Sequence, residues 1–243
     1  MPGNVIGIVQ ARMGSSRLPG KSLAPLLGRP MLQVLMERVV PAQRVDRWII
    51  ATTQLPMDDR IEELAGRLDI HCFRGSENDC LDRYYQAARQ NDAGIVVRLT
   101  GDNPLMDASF ADWSIEQFFQ SNPPVDYTES STSKTFPLGL SLEVISFPAL
   151  EKAWKEDPSP NTREHVSPYI YQHPNQFRLG ALRGPYNYSH MRWTVDTDAD
   201  LQFVRTVFEH FGSTDFSWLE AAQEIELHPE WLDINRHVVQ RAF

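Results

Sequence analysis

Three short runs rich in β-branched and other apolar residues, at 4–9 (NVIGIV), 48–53 (WIIATT) and 95–99 (IVVRL), are separated by stretches in which apolar residues recur at helical spacing. Strand-length runs alternating with helical periods predict an α/β chain, a parallel sheet wrapped by helices, because parallel strands need helix-sized crossovers. Helices are predicted at 31–40, opened by Pro30 and stopped by Pro41, and at 58–68 and 79–90. The rhythm breaks after Asn122, where Pro123-Pro124 opens a stretch rich in Ser, Thr and Pro with a predicted strand at 142–147. Residues 123–190 are therefore expected to form an insertion or flap within a single domain spanning 1–243. A last strand is predicted at 192–195, feeding a helix at 198–209, and an amphipathic helix containing Trp231 and Val238 is predicted to end the chain. At 42% hydrophobic over 243 residues, the chain has enough apolar content for a substantial core.

A net charge of −9 opposes the sequence-independent attraction to phosphate backbone on which nucleic-acid binders rely, and equally opposes docking on an anionic membrane. No apolar run approaches the ~20 residues of a membrane span, and the N-terminus shows no secretory pattern. A cytoplasmic protein that binds neither nucleic acid nor membrane is expected. Cys72 and Cys80 form no CxxC pair and are expected to be buried small apolar residues.

The stretch directly after the first predicted strand, Gln10-Ala11-Arg12-Met13-Gly14-Ser15-Ser16-Arg17-Leu18-Pro19-Gly20-Lys21, has the look of a phosphate loop. A Walker A loop places four residues between its first glycine and Gly-Lys, whereas Gly14 and Gly20 enclose five. The Walker lysine also opens a helix. Here Pro25 would be the fifth helical residue, at a cost of ~3 kcal/mol, so no helix starts at Lys21. What the loop offers instead is three cations, Arg12, Arg17 and Lys21, among small and hydroxyl residues that let backbone amides approach phosphate oxygens. Ligands of α/β sheets collect at strand carboxyl ends, which favours a triphosphate site over a solvated basic loop.

This loop resembles the N-terminal signature of the sugar-acid cytidylyltransferases, the family of the 3-deoxy-manno-octulosonate and acylneuraminate enzymes, and most of all its spore coat polysaccharide biosynthesis protein F branch. The resemblance continues through Gly28-Arg29-Pro30-Met31-Leu32, Arg74-Gly75-Ser76, Leu99-Thr100-Gly101-Asp102-Asn103-Pro104-Leu105, Glu164-His165-Val166-Ser167-Pro168-Tyr169 and Val195-Asp196-Thr197. It implies a nucleotide-diphospho-sugar transferase fold, Rossmann-like and of the GT-A type, with a mixed sheet flanked by helices. It also implies transfer of CMP from CTP to a sugar acid with release of pyrophosphate, magnesium as cofactor, and a homodimer paired through the inserted segment. The backbone around Gln10 and Ala11 would read the pyrimidine, although Gln10 stands where the better-known enzymes often carry proline.

Two carboxylates are the expected metal ligands. Asp102 follows a buried strand at the same sheet edge as the basic loop, and magnesium takes one or two carboxylates beside phosphate oxygens and water. In the resembling enzymes the matching aspartate holds the metal. Asp196 follows the last predicted strand and matches the family's second metal aspartate, while Asp198 and Asp200 are expected to serve a helix N-terminus. An Asp-x-Asp reading of 196–198 would instead suit a glycosyltransferase that binds a nucleotide sugar on the same fold, the alternative function. Asp107 is expected to cap a helix. Arg74, Asp82 and Arg83 are candidates for ribose, base or phosphate, Asp82 and Arg83 being equally readable as an exposed helix face. Arg163, His165 and Arg192 are candidates to grip the acceptor carboxylate, His165 on resemblance alone. Glu143, alternating with Leu142 and Val144, is expected to reach the acceptor side.

Overall fold

The computed structural model describes residues 3–131 and 133–240. The chain opens with β1 (Asn4–Gln10), the basic loop, and a 3-10 turn at Lys21–Leu23. A two-stranded ribbon, β2 (Pro25–Leu26) and β3 (Arg29–Pro30), leads into α1 (Met31–Val39). Lys21 thus does not open an α-helix, as the proline positions demand. Then follow β4 (Arg47–Thr53), α2 (Asp59–Arg67), β5 (His71–Gly75), α3 (Cys80–Gln90), β6 (Ala93–Thr100) and α4 (Ala108–Gln120). Asp107 caps α4, accepting from Phe110 N–H.

β1, β4, β5 and β6 run parallel, and their order in the sheet, β5-β4-β1-β6, carries the argument for the site. The chain winds outward from β1 to β4 and β5, then returns to place β6 on the other side of β1. At such a reversal the connections after neighbouring strands leave toward opposite faces and open a crevice at their carboxyl ends. β1 alternates accordingly: Ile6 and Ile8 face one core with α3, and Val5 and Val9 face the other with α1, α4 and the C-terminal helices.

The stretch beyond Asn122 extends this sheet. β7 (Tyr127–Glu129) and β8 (Glu143–Ser146) add antiparallel strands, α5 (Phe147–Glu156) packs on β8, α6 (Pro160–His165) packs against α3, α7 (Pro168–Gln172) packs against α5 and α6, and β9 (Leu179–Ala181) pairs parallel with β7. The mixed sheet has seven strands in the order β5-β4-β1-β6-β8-β7-β9.

Two expectations need correction. Residues 192–195 form no strand: Arg192 makes one isolated bridge to Leu138, and the N–H groups of Trp193 and Thr194 both donate to Leu138 O, at 2.6 and 3.1 Å. A Cβ on Gly139 would lie 2.3 Å from Thr194 N, so the two segments cross closely at a point where a ladder has no room. The chain then enters α8 (Asp198–Phe211) and α9 (Trp218–Leu227). Trp231 lies in a short 3-10 helix, Pro229–Ile234, and Val238 lies beyond it, so among the described residues no amphipathic α-helix contains the two. Pro229, two residues past Leu227, cannot continue α9.

Candidate active site

The crevice at the reversal between β1 and β6 has a volume of about 790 Å³. Gly101 N donates to Gln10 O at 2.8 Å, tying the two strand ends together, and a Cβ on Gly101 would lie 2.9 Å from that same oxygen. Gln10, Ala11, Thr100, Gly101 and Asp102 line the floor beside Arg12, Ser15, Ser16, Arg17 and Lys21. The basic loop is fastened from below: Met13 N donates to the buried carboxylate of Asp58 at 2.7 Å, Gly20 N to Met13 O at 2.9 Å, and Ser22 Oγ to Arg12 O at 3.2 Å. Gly14 is exposed and stands outside the crevice lining.

Lys21 is the centre of the charge arrangement. Its Nζ lies 2.8 Å from Asp102 Oδ2, 3.0 Å from Asp196 Oδ1 and 2.7 Å from Val195 O, so all three ammonium donors are used. Asp196 Oδ2 is held in turn by Arg17 at 2.9 Å and Arg192 at 3.0 Å. Burial works to lower the pKa of Lys21 and to raise that of Asp196, but the paired charges outweigh it: the ammonium is raised above, and the carboxyl lowered below, its ordinary value. Both groups are therefore ionised. Arg12 is freer, its side chain 44% exposed and only 3.4 Å from Glu164 Oε1.

The two carboxylates satisfy a test for a hard divalent cation. They are oxygen donors converging on one ammonium nitrogen, and Asp102 keeps 24% of its side chain exposed at the crevice. Magnesium needs few protein carboxylates when phosphate oxygens and water complete its shell.

Residues 6–227 match the family described as Cytidylyltransferase. The chain belongs to it. It is 32% identical to the spore coat polysaccharide biosynthesis protein SpsF of Bacillus subtilis, over 86% of this chain and 88% of that protein. It is 27% identical to a 3-deoxy-manno-octulosonate cytidylyltransferase of Chlorobium chlorochromatii, over 92% of this chain and 82% of that one. The solved structure of a cytidylyltransferase from Leptospira borgpetersenii superposes with a TM-score of 0.91 at 30% identity, covering 98% of this chain and 99% of the other. The fold is that of the nucleotide-diphospho-sugar transferases, and the family is that of the sugar-acid cytidylyltransferases.

Within this cytidylyltransferase, the other residues singled out in the sequence divide sharply. His165 and Arg83 line the crevice. Burial holds the His165 imidazole below its ordinary pKa, and the nearby Arg98 and Arg12 charges push the same way against Glu164. Arg83 is buried, donating to Ser76 O and, at 3.1 Å, to Cys80 Sγ.

Five others are turned to internal duties and lie outside the crevice lining. Arg74 is spent on Asp59 and Glu62 of α2 and on the carbonyls of Thr53 and Leu55. Asp82 accepts from Trp154 Nε1 at 2.8 Å and Gln86 Nε2 at 3.0 Å. Glu143 is the cross-strand neighbour of Arg98, and the two pair at 2.7 Å beneath the floor. Arg163 joins Asp79 at 2.8 Å and the carbonyls of Trp154 and Asp157, fastening α6 to α3 and α5. Arg192 stands behind Asp196 and also pairs with Asp200 at 2.8 Å. Asp198 and Asp200 both fall in the first turn of α8. Asp200 does more than complement a dipole, since it is fully buried and completes a capping box with Thr197.

The structure adds side chains that the sequence did not reveal. Cys80 and Arg98 converge on Gln10, whose Oε1 accepts from Cys80 Sγ and Arg98 Nη2, each at 3.3 Å. Asn161, Thr162, Tyr171 and Gln172 form the wall contributed by α6 and α7. Their only available signal is proximity to Glu164-His165, and that is legible only once α6 is known to pack against α3.

Proposed function

We propose that the crevice transfers CMP from CTP to the hydroxyl of a sugar acid, releasing pyrophosphate, as a step in the making of a surface polysaccharide. The observation that carries this reading is the Lys21 ammonium held between Asp102 and Asp196 at the strand carboxyl ends, next to Arg12 and Arg17. The triphosphate lies along the basic loop, with Arg12, Arg17 and Lys21 facing its oxygens. With Oε1 already engaged, Gln10 offers its amide Nε2 to an acceptor, and cytosine presents two, O2 and N3. The acceptor sugar enters against the wall of α6 and α7, beside His165 and Tyr171.

Little covalent chemistry falls to the protein: the acceptor hydroxyl oxygen attacks the α-phosphorus and gives up its proton to solvent, the bond to the β-phosphate oxygen breaks, and the electron pair leaves with pyrophosphate. The side chains align the two oxygens and neutralise charge as it moves toward the leaving group. Asp102 and Asp196 are the residues to hold magnesium, which supplies a divalent charge on the phosphates when bound. Two copies of the chain are expected to pair through the region 122–188, where Leu179 and Tyr186 are exposed.

A glycosyltransferase would need Asp198 as a second carboxylate of an Asp-x-Asp pair, but Asp198 is exposed and outside the crevice lining. The test is a screen of the four ribonucleoside triphosphates against sugar acids, with pyrophosphate release as readout. Release with CTP and a sugar acid, and a CMP-sugar as product, is expected. Sugar transfer from a finished nucleotide sugar, with no pyrophosphate, would overturn the reading.

A further inference from the structure

Away from the crevice, the C-terminal helices bring together three side chains that the proposed reaction does not use. His210 lies in the last turn of α8, Glu224 on α9, and His228 at the C-cap of α9. One ligand atom from each lies within 4.8 Å of the other two, with His210 Nε2 already 3.2 Å from Glu224 Oε2. Among the described residues this is the one group of three or more such donors close enough to share an ion.

The geometry points to a transition-metal site at His210, Glu224 and His228, of the kind that takes Zn²⁺. The donor set is chemically selective. Two imidazole nitrogens and one carboxylate oxygen suit zinc and its neighbours in the first row, whereas magnesium and calcium prefer all-oxygen shells. The three residues are partly exposed, so rotation about side-chain bonds can bring their donors to the separation of about 3.3 Å that ~2.0 Å bonds in a tetrahedron require. A fourth position stays open to solvent.

The surroundings match what a metal-bound imidazole uses. His228 Nδ1 lies 3.2 Å from Glu230 Oε1, a carboxylate placed to take the second ring proton and fix the tautomer. The Trp231 indole stacks on His228 with ring centroids 4.5 Å apart and planes 8° from parallel, and its centroid is 5.1 Å from that of His210. An apolar wall on one side and a carboxylate on the other hold the imidazole without blocking it.

A metal here would add a firmer link where α8 and α9 meet through the His210–Glu224 pair. It would clamp the end of α8 to the end of α9 and to the start of the 3-10 helix Pro229–Ile234. Just past that helix, Asn235 donates to Arg192 O at 2.9 Å and to Asp200 Oδ1 at 3.1 Å. The clamp is therefore a fastening for the segment that buttresses the back of the crevice.

The test uses the tag-free full chain in excess magnesium, to limit zinc binding at the crevice carboxylates. Zinc chloride is titrated by calorimetry, cobalt(II) chloride by visible absorption, and the melting temperature is followed against zinc concentration. Expected are one zinc per chain, visible d–d bands that saturate at one cobalt, and a rise in melting temperature with zinc. Glu224→Gln and His228→Gln are expected to abolish the cobalt bands and the thermal gain, and Glu230→Gln to weaken binding by about tenfold. Both ligand variants replace partly exposed side chains, so they are expected to melt near wild type without metal. The inference is overturned by the absence of saturable zinc binding at sub-millimolar concentration, or by equal zinc affinity in wild type, Glu224→Gln and His228→Gln.

Discussion

Replacing Lys21 by Met removes the ammonium while keeping most of the stem, and the structure sets two separate magnitudes for the result. The first is kinetic. Removing one pre-oriented charge from a site where charge develops typically costs about 10²–10³-fold in kcat, or ~2.7–4 kcal/mol. The second is structural. Breaking a fully buried ion pair costs ~3–5 kcal/mol because a charge is left unpaired, but Asp102 here is 24% exposed and Asp196 keeps Arg17 and Arg192. The expected loss is therefore only ~1–2 kcal/mol, a fall in melting temperature of about 2–8 °C for a chain of this size. The two carboxylates released by the substitution are the expected magnesium ligands. Magnesium without nucleotide should then stabilise Lys21→Met more than wild type, because in wild type it must compete with the ammonium. The assays are pyrophosphate release from CTP and thermal melts across a magnesium series. A variant that folds and turns over at near wild-type rate would refute the placement of Lys21 against the triphosphate. Equal magnesium response in the two proteins would refute the shared use of Asp102 and Asp196.

Asp196→Asn is expected to abolish most activity, with excess magnesium restoring part of it, and Asp198→Asn to cost under ~1 kcal/mol of stability with unchanged kinetics; pyrophosphate release and urea unfolding separate the two, and an inactive Asp198→Asn would revive the Asp-x-Asp reading. Asp200→Asn takes a fully buried carboxylate charge away from Arg192, which is 10% exposed and keeps Asp196, and is expected to cost ~2–3 kcal/mol in urea unfolding, so a loss under ~1 kcal/mol would sink its assigned role. Hydrogen bonds from Arg178 hold the Asp126 carboxyl below its ordinary pKa, so its stabilisation is complete above the unfolded value of ~3.9 and is lost as pH falls through the folded one. The stability gap between wild type and Asp126→Asn is accordingly expected at pH 6 and diminished at pH 3, and a gap that widens in acid would contradict the sign. Light scattering at micromolar concentration is expected to give twice the monomer mass, and the monomer mass would count against pairing.

The parts of the site legible in the sequence are those whose position follows from the chain itself. The basic loop and Asp102 come directly after strands whose apolar runs are plain, and the proline at 25 excludes a Walker helix without any structure. Arg74, Asp82, Glu143, Arg163 and Arg192 carry the same chemistry, and nothing local distinguishes them from crevice residues. For three of them the deciding partner is remote in the chain: Asp79 is 84 positions from Arg163, Trp154 is 72 from Asp82, and Arg98 is 45 from Glu143, whereas Arg192 pairs locally with Asp196 and Asp200. These five side chains lie outside the crevice lining, whereas the Lys21 pairs lie within it. Strands failed for a related reason. β7 and β9 are three residues each, too short for alternation to show, while 192–195 has the composition of a strand but no room for a ladder beside Gly139.

The same bookkeeping of partners says what binding must do. Arg12 faces Glu164, Arg17 faces Asp196, and Lys21 faces both Asp102 and Asp196, so the loop cations already have carboxylate partners in the free protein. A triphosphate cannot be gripped by these cations without releasing the carboxylates, and a released carboxylate in a partly buried crevice is costly unless it gains another cation. On the proposed reading a divalent ion would meet both demands: Asp102 and Asp196 are the residues that would hold it, and its charge would offset the phosphates. On that reading the exchange would also discriminate against a monophosphate, which brings less charge to displace two aspartates from Lys21. Arg12 has the longest and most exposed of these ion pairs and is expected to yield first, and Lys21, with three acceptors, last.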